Sequence, residues 1–336
     1  MNSKKFAKWG YGLLLLGLLL APWMGAYPVF VMKLMCFALF ACAFNLLLGY
    51  TGMLSFGHAA FFGGAAYITG HTIKVWGLTP ELGILAGVAF GAVLGLVFGW
   101  LAIRRQGIYF SMITLALAQM LFFACLQLPF TGGEDGLQAV PRGKLFGVLS
   151  LESDLSMYYA TLVVVALAFL LIVRTVHSPF GQVLKAIKEN EPRAISLGYD
   201  VDRFKLLAFV ISAALAGLAG SLKTVVLGFA TLTDVHWTAS GQVILMTLVG
   251  GLGTLSGPIV GSAVIVGLEN KIGDIGTALA RVTGVQWFST LGESVTIVTG
   301  LIFVVCVLAF RRGAMGEVIA AIQHHGRARS NGGGQR

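Results

Sequence analysis

The sequence predicts an all-α, polytopic integral membrane helix bundle of about eight to ten spans, some of them broken or re-entrant. Three observations carry this expectation. Of 336 residues, 57% are hydrophobic and only 11% are charged, whereas about a quarter of residues are charged in soluble chains. Apolar runs long enough to cross a bilayer follow one another along the chain, and the mean hydropathy is +0.86. The 45 Gly, 23 Phe and 6 Trp agree, because Gly is commoner in membrane helices than in soluble ones and aromatic rings collect at membrane interfaces. The net charge of +9 therefore reads as a topology marker and not as a nucleic-acid surface.

A helical crossing needs roughly 20 mostly apolar residues, because backbone polar groups must bond within the segment. Such runs occur at 11–30, 31–48, 54–73, 81–103, 108–128, 155–173, 204–227, 240–268 and 291–310. Lys4, Lys5 and Lys8 before a leucine run look like the start of a signal peptide. No A-x-A-type cleavage site follows and hydrophobicity resumes at once, so an uncleaved span is expected.

Lys and Arg collect in cytoplasmic loops, and here they fall into four groups: Lys4 to Lys8, Arg104 and Arg105, Arg174 to Lys205, and Arg311 to Arg329. Placing all four groups in the cytoplasm puts both termini there. The loop 130–154, with Glu134, Asp135, Glu152 and Asp154 against Arg142 and Lys144, then lies outside. Returning from Arg174 to Arg311 on the same side needs an even number of crossings, yet three runs intervene. One must be broken, and the best candidate is 240–268, interrupted by glycines from Gly250 to Gly257 and by Pro258. A short hairpin between two spans is an equal alternative.

Gly83, Gly87, Gly91, Gly95 and Gly99 recur every four residues, which gives one helix a smooth stripe that another helix can approach closely. Packing within the chain is favoured over a dimer interface. Gly253, Gly257 and Gly261 repeat the spacing. Cys36, Cys42, Cys125 and Cys306 sit in apolar runs with no C-x-x-C pattern, so free thiols are expected. The scattered histidines suggest no metal site, and no cofactor is expected.

The composition changes between Arg174 and Lys205. Six basic residues (Arg174, Lys185, Lys188, Arg193, Arg203, Lys205) and four acidic ones (Glu189, Glu191, Asp200, Asp202) occur in these 32 positions. Phe180, Leu184 and Ile187 mark one face of a short helix. Asn190-Glu191-Pro192 breaks it, and Pro192 suits the first turn of a second short helix ending near Gly198. Asp202 is the expected N-cap of the next span. The pair is either an interfacial helix on the headgroups or a docking element for a soluble partner, and its mixed charge favours docking.

Four stretches then carry a family likeness: Asn45 to His58, Thr131-Gly-Gly-Glu-Asp-Gly-Leu137, Ser178 to Ala194 with Leu197 to Asp200, and Gly250 to Gly261. In this order the chain resembles the inner-membrane permeases of branched-chain amino acid ABC importers, LivM type. The resemblance implies a single transmembrane permease domain over 1–336, with a coupling loop at about 174–205 and a polar tail at 311–336. It implies that Lys185, Ala186, Glu189, Asn190, Glu191, Arg193 and Gly198 touch or shape the contact with a partner ATPase. It also implies a translocation pathway along Gly52, Ser55, Gly57 and His58 and the glycine-rich break at Gly251, Gly253 and Gly257. His58 and Gln119 are polar groups inside predicted spans, each expected first as an interhelical hydrogen bond. The implied partners are ABC ATPase subunits, a second homologous permease, a periplasmic solute-binding protein and membrane lipid, with no nucleic acid.

No G-x-x-x-x-G-K-[ST] pattern occurs, so this chain carries no phosphate-binding loop of that type. No G-x-S-x-G or H-E-x-x-H occurs either, and no membrane enzyme is expected. An ion-coupled secondary transporter would need ionisable residues at the span centres, where the sequence shows almost none. A scaffold protein would leave the mixed-charge loop and the glycine-rich break unexplained. By resemblance the solute is a branched-chain amino acid, with urea, short amides or aromatic acids as the alternatives within the family.

Overall fold

The computed structural model describes residues 12, 14–147, 149–283, 300, 301 and 304. Residues 14–20 are helical and a turn at 21–25 follows. Then come α1 (Pro28–Thr51), α2 (His58–Lys74), α3 (Pro80–Ala102), α4 (Ile108–Gln127), α5 (Asp154–His177), α6 (Pro179–Glu189), α7 (Glu191–Ser196), α8 (Val201–Leu227), α9 (Trp237–Gly250) and α10 (Gly257–Thr283). Among the described residues, α1, α3, α4, α5 and α8 are long and apolar enough to cross a membrane. The only paired strands described are a two-residue hairpin, β1 (Lys144–Leu145) against β2 (Leu149–Ser150). The chain is thus an all-α polytopic bundle.

Local chemistry sets the helix ends. Pro28 and Pro80 occupy first turns, where a missing N–H costs nothing. Gly52 closes α1 in the left-handed region, φ 78°, with its N–H on Leu48 O. The Ser153 side chain caps α5 by accepting from Ser156 N at 3.2 Å. The boundaries differ from the hydropathy runs where polar chemistry overrides apolarity. The runs 11–30 and 31–48 divide at Pro28 rather than at residue 30, because proline suits a helix start. The run 54–73 yields a helix only from His58.

α8 is the central element and packs along α1, α2 and α3. The glycine stripe of α3 is its seam. A Cβ on Gly91 would stand 2.9 Å from the Ala213 carbonyl oxygen, and one on Gly99 would reach 2.7 Å from Leu206 Cδ1. Close contact of this kind, onto backbone at Gly91 and onto side chains at Gly99, replaces the hydrophobic drive that lipid removes. Thr69 Oγ1 lies 2.8 Å from Ser221 Oγ and 3.0 Å from Gly83 O, a polar tie inside the same seam. The outer faces of α3 and α5 are aliphatic, with Leu85, Val93, Leu167 and Leu170 among the most exposed side chains. Cys36, Cys42 and Cys125 are free and buried; Cys306 lies outside the described residues.

The bundle has two chemically distinct ends. At one, Gln106 Nε2 donates to Glu191 Oε1 at 2.9 Å, so the loop carrying Arg104 and Arg105 lies beside α6 and α7, as the charge pattern predicts. At the other, loop 128–153 joins the segment after α8 through paired bonds of 2.9 Å between Leu137 and Ala230. The Thr131 to Leu137 motif makes that join possible. Gly132, Gly133 and Gly136 adopt φ of 79°, 62° and 66°, and a Cβ on Gly136 would collide with the Ala230 carbonyl. The groups Lys4 to Lys8 and Arg311 to Arg329, the tail 311–336 and most of the run 291–310 lie outside the described residues.

Candidate functional site

Two helices start inside the bundle instead of at its ends. After α1, residues 52–57 are not helical, and α2 begins at His58. The His58 ring there meets Ser212, about three turns into α8, and through it Ala43, about two turns back along α1. After α8, residues 228–236 enter from the opposite end, and α9 begins at Trp237. The two internal N-termini meet: Ala59 N donates to Ser240 Oγ at 2.9 Å. With 14 residues, α9 covers about 21 Å, roughly two thirds of the ~30 Å bilayer core.

Backbone groups freed by such breaks must find partners within the protein, and here they do. Phe56 N donates to Thr114 Oγ1 at 3.2 Å, Gly57 N to Ser55 Oγ at 3.1 Å, and Ser111 Oγ donates to Leu54 O at 2.7 Å. Ser212 Oγ spends its one hydrogen on Ala43 O at 2.6 Å. His58 Nε2, 2.9 Å from Ser212 Oγ, is therefore the donor to that hydroxyl. Phe44, Phe61 and Phe209 stand edge-on around the imidazole. His58 thus makes the interhelical hydrogen bond expected of it, while Gln119 is half-buried on α4. Of the sequence-predicted pathway residues, Ser55, Gly57 and His58 are buried and Gly52 is exposed.

The second break is a hairpin. The run 240–268 resolves into α9 and antiparallel α10, joined by 251–256. Gly250 faces the Gly257 carbonyl and Gly261 faces Met246 O so closely that neither position has room for a Cβ. The hairpin is held by α1. Asn45, 2% exposed, donates from Nδ2 to Thr254 O at 2.8 Å and accepts from Gly253 N at 3.0 Å. Gly253 itself has φ 73°. Of the three glycines expected to line the pathway here, Gly257 is buried and Gly251 and Gly253 sit in the hairpin turn.

The mixed-charge segment folds as the two short helices its sequence predicts. The Ser178 side chain caps α6 from Gly181 N at 3.3 Å, and the Asn190 side chain caps α7 from Arg193 N at 3.1 Å. Gly181 is required because a Cβ there would stand 2.6 Å from the Thr175 carbonyl oxygen where the chain turns sharply off α5. Leu184 and Ile187 are buried. One expectation is corrected: Asp200, not Asp202, caps α8, with Oδ1 accepting from Arg203 N at 3.3 Å. The helix starts one residue after Asp200 because Val201 is buried against Ile187 and Ala194.

The site residues of this segment divide by direction. Lys188 Nζ donates to Gly49 O at 2.7 Å, Lys185 Nζ lies 5.6 Å from the Tyr50 ring centroid, and Glu191 pairs with Lys205 at 2.7 Å. Lys185, Lys188 and Glu191 are therefore tied to the bundle. Ala186, Glu189, Asn190, Arg193 and Gly198 are exposed, beside Ile195, Leu197 and Tyr199, which are 57%, 68% and 42% exposed. Lys188 was not among the expected contacts, since a lysine in a charged helix gives no sign of a backbone acceptor on another helix.

Sequence reasoning also missed an internal charge pair. Lys223, inside the apolar run of α8, meets Asp234 at 2.5 Å with side chains 5% and 11% exposed. Thr231 N and Oγ1 donate to the same carboxylate oxygen at 3.1 and 2.9 Å, and Phe229 lies under the ammonium at 4.8 Å. Near the middle of α10, Glu269 accepts from Gln242 Nε2 at 2.6 Å. Among the described residues no cluster has metal-ligand composition.

Comparison with known proteins adds to this geometry. The family model described as "Branched-chain amino acid transport system / permease component" matches residues 29–308. The chain is 27% identical over 260 residues to the high-affinity branched-chain amino acid transport system permease protein LivM of Escherichia coli (strain K12), covering 69% of this chain and 60% of that protein. It is 27% identical over 230 residues to the probable LivM of Methanocaldococcus jannaschii, covering 62% and 63%. It is 29% identical over 222 residues to the guanosine ABC transporter permease protein NupQ of Bacillus subtilis, covering 60% and 65%. The chain thus spans about 60% of the length of the first of these relatives. No solved structure matches it.

Proposed function

This chain belongs to the family of branched-chain amino acid transport permease components, and from that premise we propose that it is the membrane-spanning permease subunit of an ABC importer for leucine, isoleucine and valine. The observation that carries the proposal is the two-faced α6–α7 unit. Its inner residues are tied to α1 and α8, and its exposed residues and those just after it include Ile195, Leu197 and Tyr199 together with Glu189 and Arg193. An apolar patch in mixed charge suits a soluble partner better than a headgroup layer, which favours basic residues alone. In this reading the partner is an ATPase that hydrolyses ATP in a separate subunit. A second homologous permease, a periplasmic solute-binding protein and surrounding lipid complete the assembly.

The chain is multi-pass in the bacterial inner membrane, with α6, α7 and both termini on the cytoplasmic side. In this reading the breaks at 52–57 and 251–257 border the pathway, with Ser55, Thr114 and Ser240 holding the backbone of the first. The support for 52–57 is the meeting of two internal helix starts, those of α2 and α9, the arrangement found where transporters bind solute near the bilayer midplane. The support for 251–257 is the glycine-lined hairpin held by Asn45.

Uptake of labelled leucine by cells lacking the gene and by cells restored with it tests the proposal. Restored uptake that unlabelled isoleucine competes, and urea, a short amide and an aromatic acid do not, supports it. Leucine uptake independent of the gene removes the amino acid assignment.

A further inference from the structure

The peptide of Gly49 is where three segments meet. Its carbonyl accepts from Lys188 Nζ of α6 at 2.7 Å. A Cβ on Gly49 would stand 2.8 Å from Gly253 N, and a Cβ on Gly253 would stand 3.2 Å from Gly49 O, so the 251–256 hairpin lies directly against the same peptide. One turn back on α1, the Asn45 side chain grips that hairpin with both its amide groups, at 2.8 and 3.0 Å. On the other side, Gly52 opens the first break and a Cβ there would touch Lys188 Cγ at 3.4 Å. The Tyr50 ring beneath Lys185 adds a second tie between α6 and this end of α1.

We infer that Asn45 and Lys188 are positioning residues for transport that act in series, locking α6, the last turns of α1 and the 251–256 hairpin into one rigid body that carries a displacement of α6 to the second broken helix. Physical chemistry favours this. A buried side-chain amide satisfied on both its polar groups is costly to separate from its partners, and packed elements transmit displacement because they are bistable and not continuously deformable. Gly49 and Gly253 bring the backbones close enough for no side chain to yield between them.

The inference rests on the ABC importer reading, and the test separates the two. The chain is co-expressed with its ATPase and permease partners, the complex is reconstituted in vesicles, and leucine uptake and ATP hydrolysis are both measured. If the wild-type chain neither co-purifies with an ATPase nor supports ATP-driven uptake, the functional reading fails. With a working wild type, Asn45→Ala and Lys188→Met should each retain assembly and hydrolysis while lowering leucine moved per ATP about tenfold. The double variant should be no worse than the weaker single. Multiplying losses, or hydrolysis and uptake falling in proportion, would overturn the serial arrangement.

A second measurement does not depend on destabilising variants. A short thiol cross-link between Tyr50→Cys and Lys185→Cys should leave uptake within twofold of the uncross-linked pair, because the two elements move together. Loss of uptake on cross-linking would show that they must part during the cycle, and the rigid body would be excluded.

Discussion

Glu191 and Lys205 form an ion pair of 2.7 Å, and the same carboxylate oxygen accepts from Gln106 at 2.9 Å. One residue of the short helix α7 thereby joins α8 to the loop between α3 and α4. The Lys205 side chain is only 6% exposed. Removing its partner strands a buried ammonium, at a cost of about 3 kcal/mol. Glu191→Ala should therefore lower the melting temperature of the detergent-purified protein by several degrees, and Glu191→Ala with Lys205→Met should recover most of the loss. Equal melting of the single and double variants would show that the pair is not the fastening point.

The outer face of α6 and α7 should behave differently. Glu189 is exposed, so Glu189→Arg should leave melting unchanged while abolishing leucine uptake and co-purification of the ATPase. Gly198 adopts φ 87°, a region β-branched residues avoid, and Gly198→Val should redirect the chain leaving α7 with the same loss. Normal uptake in both variants would remove the docking role.

The α3 seam predicts a contrast between two neighbouring positions. Gly91→Leu forces a side chain against the Ala213 carbonyl and should cost about 1–3 kcal/mol or more, seen as low folded yield and early melting. Val93→Leu, on the exposed face of the same helix, should change neither. Identical behaviour of the two would mean that the stripe does not carry the packing.

Lys223 and Asp234 make a further test. Lys223→Met leaves the Asp234 carboxylate with only its Thr231 donors in a buried site, and a destabilisation of about 3–5 kcal/mol is expected. Lys223→Met with Asp234→Asn should restore most of it. Thermal unfolding followed by tryptophan fluorescence distinguishes the outcomes. If the double variant is as unstable as the single, the pair's value is geometric rather than electrostatic.

Much of this architecture is written in local patterns. Runs of apolar residues mark α3, α4, α5 and α8, the four-residue glycine repeat marks the seam, and Ser178, Pro179, Asn190 and Pro192 mark the starts of α6 and α7. These features depend on neighbours in sequence. What was not legible depends on partners far away. The breaks are visible as glycines, but their depth is fixed by Thr114, Ser240 and Asn45, single polar residues in apolar runs that point nowhere until the helices are packed. Lys223 is likewise hidden inside an apolar run, and its partner lies 11 residues on, across a turn. The inward direction of Lys185, Lys188 and Glu191 follows from partners on α1 and α8, a ring and a carbonyl on α1 and the Lys205 ammonium on α8, which no helical periodicity reveals.

The bonds that close the first break also set the terms on which it opens. Leu54 O, Phe56 N, Gly57 N and Ala59 N each have a side-chain partner, and a backbone group left bare in hydrocarbon costs several kcal/mol. Parting α2 from α4 and α9 would therefore be prohibitive in a dry interior. The groups must be handed over to water or to polar groups of whatever enters as the helices separate. Opening is then a hydration event, and the rate of the cycle should fall when impermeant osmolytes lower the activity of water on the side from which the cavity fills.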